Sequence, residues 1–596
     1  MKTLFAIILT LGLLAGSGFA QPTVALIVNA ASSSQPPLPN SSIAQGSYFT
    51  IYGSGIGPST GVSWNPYPLP TTLGQTSISV SVPAGAAAVA AYPSYVSATQ
   101  INAVLPSGTP TGTGTLTVTY NGATSATFPI TVVTSSFGTF AFNEVGSGPG
   151  IFTNAVNYQL LTPFNTVKPG GYVTIWGTGL GPAPDISTEQ SAAPPLTNIC
   201  PTASSCPVTV WVGGQQATVL YAGRGGFTAE DQIDIQVPAG VQGCYVQVAV
   251  EINSVVGNFT SLPVDPTGPT CQDADGINYS DIASIVQSKG HANIGDMILL
   301  SNYLNLSIPI LGTSTLPFDN DTVSGELSTF STSALDAFEG LTIVPSVNNC
   351  TVSPFLQYPP PSDPALVGLP FLNAGTTLSI QGPNGTASVP INKNGTAYYG
   401  LIGGETIAEI ISGCPSTSTN KCAPFFLSPT YAISPGTYTV TGPGGSAVGA
   451  FSAPITVSSA AASFQWTNQA SVVGTPSAPL PIARNQPLTI TWTGGDPNGF
   501  VDITAIASTL QSGTVPSTTT PGALVECIAP ASAGTFTVPA YVLESLPSTV
   551  NSTALVPPGE LLVGPASGGV SATAPTGLDA LYIFYHFIQG VNVSWQ

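Results

Sequence analysis

The chain has 596 residues, room for about four domains of roughly 150 residues each, and 7 Lys plus Arg against 26 Asp plus Glu leave a formal net charge of −19. That balance excludes nucleic acid and anionic membranes as partners, because both are met by a basic footprint. Only 6% of the residues are charged, against about 25% in an ordinary soluble domain, so the surface must be built from Ser, Thr, Asn, Gln and Gly.

Met1-Lys2, the apolar run Leu4 to Leu14 and Gly18-Phe19-Ala20 form the three parts of a secretory signal, residues 1–20, with cleavage before Gln21. No later segment reaches the roughly 18 uninterrupted apolar residues of a membrane span. The mature chain is read as secreted, extracellular or on the cell surface.

Two stretches then recur. Tyr48-Phe-Thr-Ile-Tyr-Gly-Ser-Gly-Ile-Gly-Pro58 returns as Tyr172-Val-Thr-Ile-Trp-Gly-Thr-Gly-Leu-Gly-Pro182, and Gln100-Ile-Asn-Ala-Val-Leu-Pro106 as Gln232-Ile-Asp-Ile-Gln-Val-Pro238. The offsets, 124 and 132 residues, mark a duplicated unit with a small insertion. Each first stretch is a β-branched and aromatic strand stopped by a glycine turn. Ile78 to Val82, Gly114 to Tyr120 and Phe128 to Val133 alternate with the period of half-buried strands, and Asn121-Gly122 is a hairpin signal. Strands at this spacing predict a two-sheet sandwich over 21–135, and the same plan, with Val208 to Val212 in place of Ile78 to Val82, a second over 136–266.

The glycine turn, the Gln-Ile-Asp-Ile-Gln-Val-Pro strand and the link Gly148-Pro149-Gly150-Ile151-Phe152 together resemble an uncharacterised family of paired immunoglobulin-like repeats in secreted proteins of soil bacteria, and more loosely the IPT/TIG sandwich. The resemblance covers about residues 22 to 265. It implies fold and export, and it brings no catalytic residue with it.

Past Cys271 the texture changes. Asp281 to Lys289 and Asn293 to Leu304 carry apolar residues at three- and four-residue spacing, which predicts two short helices in a linker module over 267–343. Thr376 to Ile380 and Gly436 to Val440 return to strand patterns in a third β domain, 344–460, and Leu488 to Trp492, Gly534 to Val538 and Val591 to Trp595 do so in a fourth, 461–596. The expected fold class is all-β: tandem immunoglobulin-like β-sandwiches with a small helical insert.

Eight cysteines in an exported chain read as disulfides. Cys200 with Cys206 and Cys414 with Cys422 each flank a short loop and are expected to pair; Cys244, Cys271, Cys350 and Cys527 leave three pairings open.

Few residues nominate chemistry. Gly57-Pro58-Ser59-Thr60-Gly61 fits a hydrolase nucleophile pattern, but Ser59 sits in a proline turn, and the two histidines, His291 and His586, lie far outside this domain. Asp273, Asp275 and Asp281 follow the spacing of a calcium loop, yet Cys271 and Ile282 stand where two strong ligands belong. An Asx-rich turn is the plainer reading: no cofactor is expected, and calcium at this loop is the alternative the acids leave open. Glu230-Asp231-Gln232-Ile233-Asp234 and Asp319-Asn320-Asp321 read as solvated turns, with Asp231 and Asp234 on opposite faces if the segment is a strand. Trp64 and Tyr67, in a proline-rich loop, could offer rings to a sugar; the other five tryptophans lie in strand patterns, where core packing is the default. The expected function is non-enzymatic: binding, adhesion or structure at the cell surface, with an extracellular polymer such as neutral polysaccharide or a cell-surface protein as partner. The alternative is a secreted glycan hydrolase or its accessory module, which needs two convergent carboxylates.

Overall fold

A computed structural model describes residues 21–183, 189–190, 197–273, 276–307, 315–331, 345–354, 370–383, 385–391, 395–404, 434–475, 478–509, 521–550 and 559–596. The signal segment, Asp275, Cys414 and Cys422 lie outside these residues.

The duplication is visible in the strand order. In the first copy β1 (Thr23–Asn29), β2 (Tyr48–Ser54), β5 (Gln100–Val104) and β4 (Tyr92–Val96) form one sheet in that order, and β7 (Phe128–Val133), β6 (Gly112–Tyr120) and β3 (Thr76–Ser81) the other. In the second copy β8 (Tyr172–Thr178), β11 (Asp231–Gln236) and β10 (Thr218–Arg224) repeat β2, β5 and β4, while β13 (Val255–Val264), β12 (Gly243–Ile252) and β9 (Val208–Val212) repeat β7, β6 and β3. Alternation places Phe49, Ile51, Ile78, Val80, Ile101, Leu116 and Val118 inside the first sandwich, and Val173, Ile175, Val210, Ile233, Ile235, Val248 and Val250 inside the second. The motif turn reverses through glycines at positive φ, Gly55 at 61° in one copy and Gly179 at 108° in the other, where a side chain would be strained.

The second half is built differently. Helix α1 (Tyr279–Lys289) is present, capped by Asn278 and ended by Gly290 in the left-handed conformation. The second expected helix is instead a strand: Asn293 to Leu304 lies within β14 (His291–Ser307), which pairs along its whole length with β15 (Thr315–Ser331). Its apolar residues satisfy both periods. Tertiary pairing decides, because β14 also lies parallel to β27 (Ala580–Asn592), from Ile294 opposite Ala580 to Asn305 opposite Val591.

That pairing draws the segments 267–343, 344–460 and 461–596 into one sheet. Its path runs β16 (Asn349–Pro354), β24 (Gly522–Pro530), β23 (Phe500–Ser508), β26 (Gly559–Ala566), β27, β14, β15 and β19 (Tyr398–Gly404). One face of this sheet is apolar along its length. Towards one end, Val501, Ile503, Val525, Leu561 and Val563 pack with Trp466, Ile490, Trp492 and Val538. Towards the other, Met297, Leu299, Val323, Leu327, Ile583 and Phe587 pack with Leu378, Ile380, Tyr438, Val440 and Ile455 from a smaller four-stranded sheet. Cys350 and Cys527, opposite each other on β16 and β24, are bonded, so a disulfide closes a 177-residue interval; among the described residues Cys200–Cys206 and Cys244–Cys271 are also bonded. Trp211 is not in the core of its own sandwich. It stacks on Tyr541, ring centroids 4.5 Å apart, where the second sandwich meets the C-terminal unit.

Candidate ligand-binding surface at the repeat junction

The two sandwiches are joined through one buried cation. Arg224, at the end of β10, forms ion pairs with Asp231 and Glu189, and all three side chains are buried. The guanidinium also donates to the Gly46 carbonyl of the first sandwich at 2.9 Å and to the Gly181 carbonyl at 3.0 Å. Glu189 accepts from the backbone amide of Ser107 at 2.7 Å and from its hydroxyl, both in the first copy. Asp231 accepts from the amides of Gly179 and Leu180, at 2.7 and 2.8 Å, in the motif turn. Burial pushes the Asp231 carboxyl up, while Arg224 and these amides hold it down. Three donors, one from Arg224 and two from these amides, converge on its two oxygens. The expected solvated turn is therefore corrected for Asp231: the residue is internal. Asp321, from the other cluster read as solvated, is also buried, in β15.

The proline-rich loop lies over this junction. The Tyr67 hydroxyl is 2.6 Å from Thr228 Oγ1 and accepts from the Thr228 amide at 3.1 Å, so a residue expected to face a ligand also bridges the two copies. Its ring is 38% exposed and that of Trp64 is 39%, with the Trp64 Nε1 donating to the Pro68 carbonyl. Beneath them Tyr48 packs with Leu69, Tyr92, Val104 and Ala229. Burial, then Tyr67, then Glu230 push its phenol up to about 12. Glu230 is itself pushed up, by burial and by Asp231.

From the junction the outward faces of both copies carry one hydrogen-bonding pattern. In the second copy Thr174 Oγ1 donates to Asp234 Oδ1 at 2.7 Å and Gln232 Nε2 donates to the same carboxylate at 2.9 Å. In the first copy Thr50 Oγ1 donates to Asn102 Oδ1 at 3.2 Å and Gln100 Nε2 does so at 3.0 Å. Asp231 and Asp234 do lie on opposite faces, as alternation requires. Trp176 is a correction: it stands on the outward side of β8, half-buried, its Nε1 donating to Thr153 Oγ1 at 3.0 Å. Period-two counting from Val173 and Ile175 would have placed it there.

The remaining sequence candidates separate. Asp273 accepts from the Cys244 amide at 2.9 Å and from the Ser346 hydroxyl, holding its segment to β12; Asp281 sits in the capping turn of α1, accepting from Asn278 Nδ2 at 2.8 Å. Among the described residues no group of three or more His, Cys, Asp or Glu converges as a metal set.

A second polar region escaped the sequence reading altogether. The face of the long sheet opposite its apolar cores carries Asp502, Glu526, Glu560 and His586, and further along Asp296 and Glu326, aligned by strand register. Burial pushes Asp502 and Glu526 up, and Asp502 adds to the shift on Glu526. Burial pushes Asp296 up to about 7, Glu326 adding to it, and takes His586 down to about 4. The acids are dispersed in sequence, and only strand pairing gathers them.

A family model, the IPT/TIG domain, matches residues 32–134, within the first sandwich. Among solved structures, domains 5-6 of the S-layer protein SbsC match at 12% identity and a TM-score of 0.14, over 41% of this chain and 100% of that one. The Bacteroides ovatus mixed-linkage glucan utilization locus protein SGBP-B, solved with a mixed-linkage heptasaccharide, matches at 11% identity and 0.12, over 87% and 97%. The gamma-CGTase of alkalophilic Bacillus clarkii matches at 10% identity and 0.14, over 48% of this chain, which spans 34% of that enzyme's length. No curated protein matches the sequence. The immunoglobulin-like character of the repeats rests on the domain match and on the strand order; at these TM-scores the neighbours carry no argument about function.

Proposed function

We propose that this chain is an exported, non-enzymatic binding or structural module of the cell surface whose paired sandwiches contact a neutral extracellular polysaccharide through the loop bearing Trp64 and Tyr67. The observation that carries this reading is the junction itself. A buried ion triad and the Tyr67–Thr228 contact hold two sandwiches in one orientation, and two half-exposed rings sit on that rigid seam. Rings held in place lose little freedom when they stack on a sugar, which favours binding. With 6% charged residues, the surface favours hydroxyl-rich neutral polymers over polyanions. No helix among the described residues is long and apolar enough to cross a membrane.

Depletion of the signal-cleaved protein from solution by insoluble neutral glycans tests the reading. Retention that drops in Trp64→Ala supports it; no retention on any glycan, together with self-association of the purified protein, replaces it with a structural filament or surface layer. A second reading, a glycan hydrolase, is favoured by one observation: Asp502 and Glu526 share a sheet face and both carboxyls are pushed up, as a general acid must be. Release of reducing sugar that vanishes in Glu526→Gln would install it.

A further inference from the structure

We propose that the outward face of the second sandwich is itself a glycan-binding platform, with Trp176 and Tyr221 as stacking rings and Gln232 and Asp234 as the polar contacts between them. This deepens the polysaccharide-binding reading and rests on it.

Cross-strand register builds the platform. Trp176 on β8 stands opposite Gln232 on β11, which stands opposite Gly223 on β10; in the next row Thr174, Asp234 and Tyr221 align in the same way. Two glycines let the rings lie down. A Cβ on Gly225 would meet Trp176 Cζ3 at 2.7 Å, and one on Gly223 would meet first the Thr197 carbonyl at 2.3 Å and then Tyr221 Oη at 2.6 Å and Cζ at 3.0 Å. Each ring therefore lies close against bare backbone on one side. Arg224, between the two glycines and the only cation in these three strands, points inward to its ion pairs. The sheet face thus offers rings, a primary amide and a carboxylate, without positive charge, while the buried Thr174 hydroxyl holds Asp234 from beneath.

That chemistry selects the occupant. A polyanion would meet Asp234 with no cation to offset it, and an apolar partner would strip water from Gln232 and Asp234 without replacing their hydrogen bonds. A neutral sugar chain meets both needs: its hydroxyls donate to the Asp234 oxygens and the Gln232 carbonyl, and its apolar ring faces stack on Trp176 and Tyr221. The repetition is an independent argument. Inward residues of the duplicated strands recur because the core requires them, but Thr50, Gln100, Asn102 and Tyr95 recur on the outward side as Thr174, Gln232, Asp234 and Tyr221, and Tyr52 as Trp176. The copies differ at one end. Tyr48 packs beneath the junction loop with Leu69 and Ala229, whereas its counterpart Tyr172 is 44% exposed. The second copy therefore keeps the longer open face.

The test uses the full signal-cleaved chain and its depletion by insoluble cellulose, mannan and xylan, with alginate as the polyanionic control. Trp176→Ala and Asp234→Ala are each expected to weaken retention on the neutral glycan by about tenfold or more, with Trp176→Phe restoring part of it and alginate retaining none of the proteins. Unchanged far- and near-UV circular dichroism separates loss of contact from loss of fold, and Trp176→Phe keeps the ring over Gly225 should the alanine variant unfold. Wild-type retention unaltered by Trp176→Phe, Asp234→Ala and Asp234→Asn, yet lost in Trp64→Ala, overturns this platform and leaves the junction reading standing. A wild-type protein retained by no neutral glycan overturns both.

Discussion

The tandem pair and the C-terminal sheet reach the same all-β end by opposite routes. In the pair, each copy closes its own sandwich from strands within roughly 110 residues, and one buried Arg224 then docks copy on copy. In the C-terminal unit the described strands pair over long range: β14 needs β27, some 290 residues later, and β16 needs β24. Local units tolerate insertions such as the loop at Cys200–Cys206, whereas a shared sheet depends on every strand that enters it. The two regions also bury charge differently. At the junction carboxylates are matched by a guanidinium, and on the long sheet they are gathered with one neutral imidazole, so protonation has to supply the compensation.

The comparison can be broken at several points. Arg224→Met should have the largest effect, a loss of about 3–5 kcal/mol in the tandem pair, because Asp231 and Glu189 are left buried without a counter-charge. Amide exchange should rise across residues 46–237 while β23 and β26 keep their protection; uniform loss throughout the chain would make the two regions one cooperative unit. Replacing Cys350 and Cys527 together with Ala should cost about 2–4 kcal/mol, read as a lower denaturant midpoint for the C-terminal sheet with the tandem pair unmoved.

Asp296→Asn sharpens the electrostatic contrast. The folded carboxyl titrates at about 7, against an ordinary value of 3.8, so its protonated form stabilises the sheet fully below about 4 and that contribution is lost as pH rises towards 7. Glu326, pushed up on the same face, acts in the same direction, whereas His586, pushed down, acts in the opposite one. The amide should therefore raise stability by about 1–2 kcal/mol at pH 8 and leave it nearly unchanged at pH 4, as thermal scans at the two pH values would show. An equal change at both would remove the buried acid from the account. The smallest effect is expected of Tyr67→Phe, about 1 kcal/mol for the lost hydrogen bond to Thr228, visible as faster proteolysis between the two copies.

Much of the first half is legible in residues alone. The repeated Tyr-x-Thr-Ile and Gln-Ile-Asx strands carry both their inward apolar rows and their outward polar rows, because a period of two survives without any partner being known. Helix α1 is legible for a similar reason, through the three- and four-residue spacing of the apolar residues between Asp281 and Lys289. Asn293 to Leu304 is not. Its Ile294, Met297, Leu299 and Leu300 suit a helix stripe as well as an alternating strand, and only β27 resolves them. The site divides along the same line. Trp64 and Tyr67 stand out through their loop, whereas a strand tryptophan such as Trp176 reads as internal by default, although its parity against Val173 and Ile175 points outward.

Sequence by itself determined the fold class, the duplication, the scarcity of charge and the local Cys200–Cys206 bridge, all of which follow from composition or from contacts a few residues apart. Tertiary structure alone decided which carboxylates meet Arg224, which acids gather around His586, how Cys244, Cys271, Cys350 and Cys527 pair, and that three segments share one sheet. The physical reason is range. Side-chain parity and turn chemistry are written within a strand, but ion pairing and sheet closure join residues up to 290 positions apart, where the strand that arrives is set by the packing of the whole.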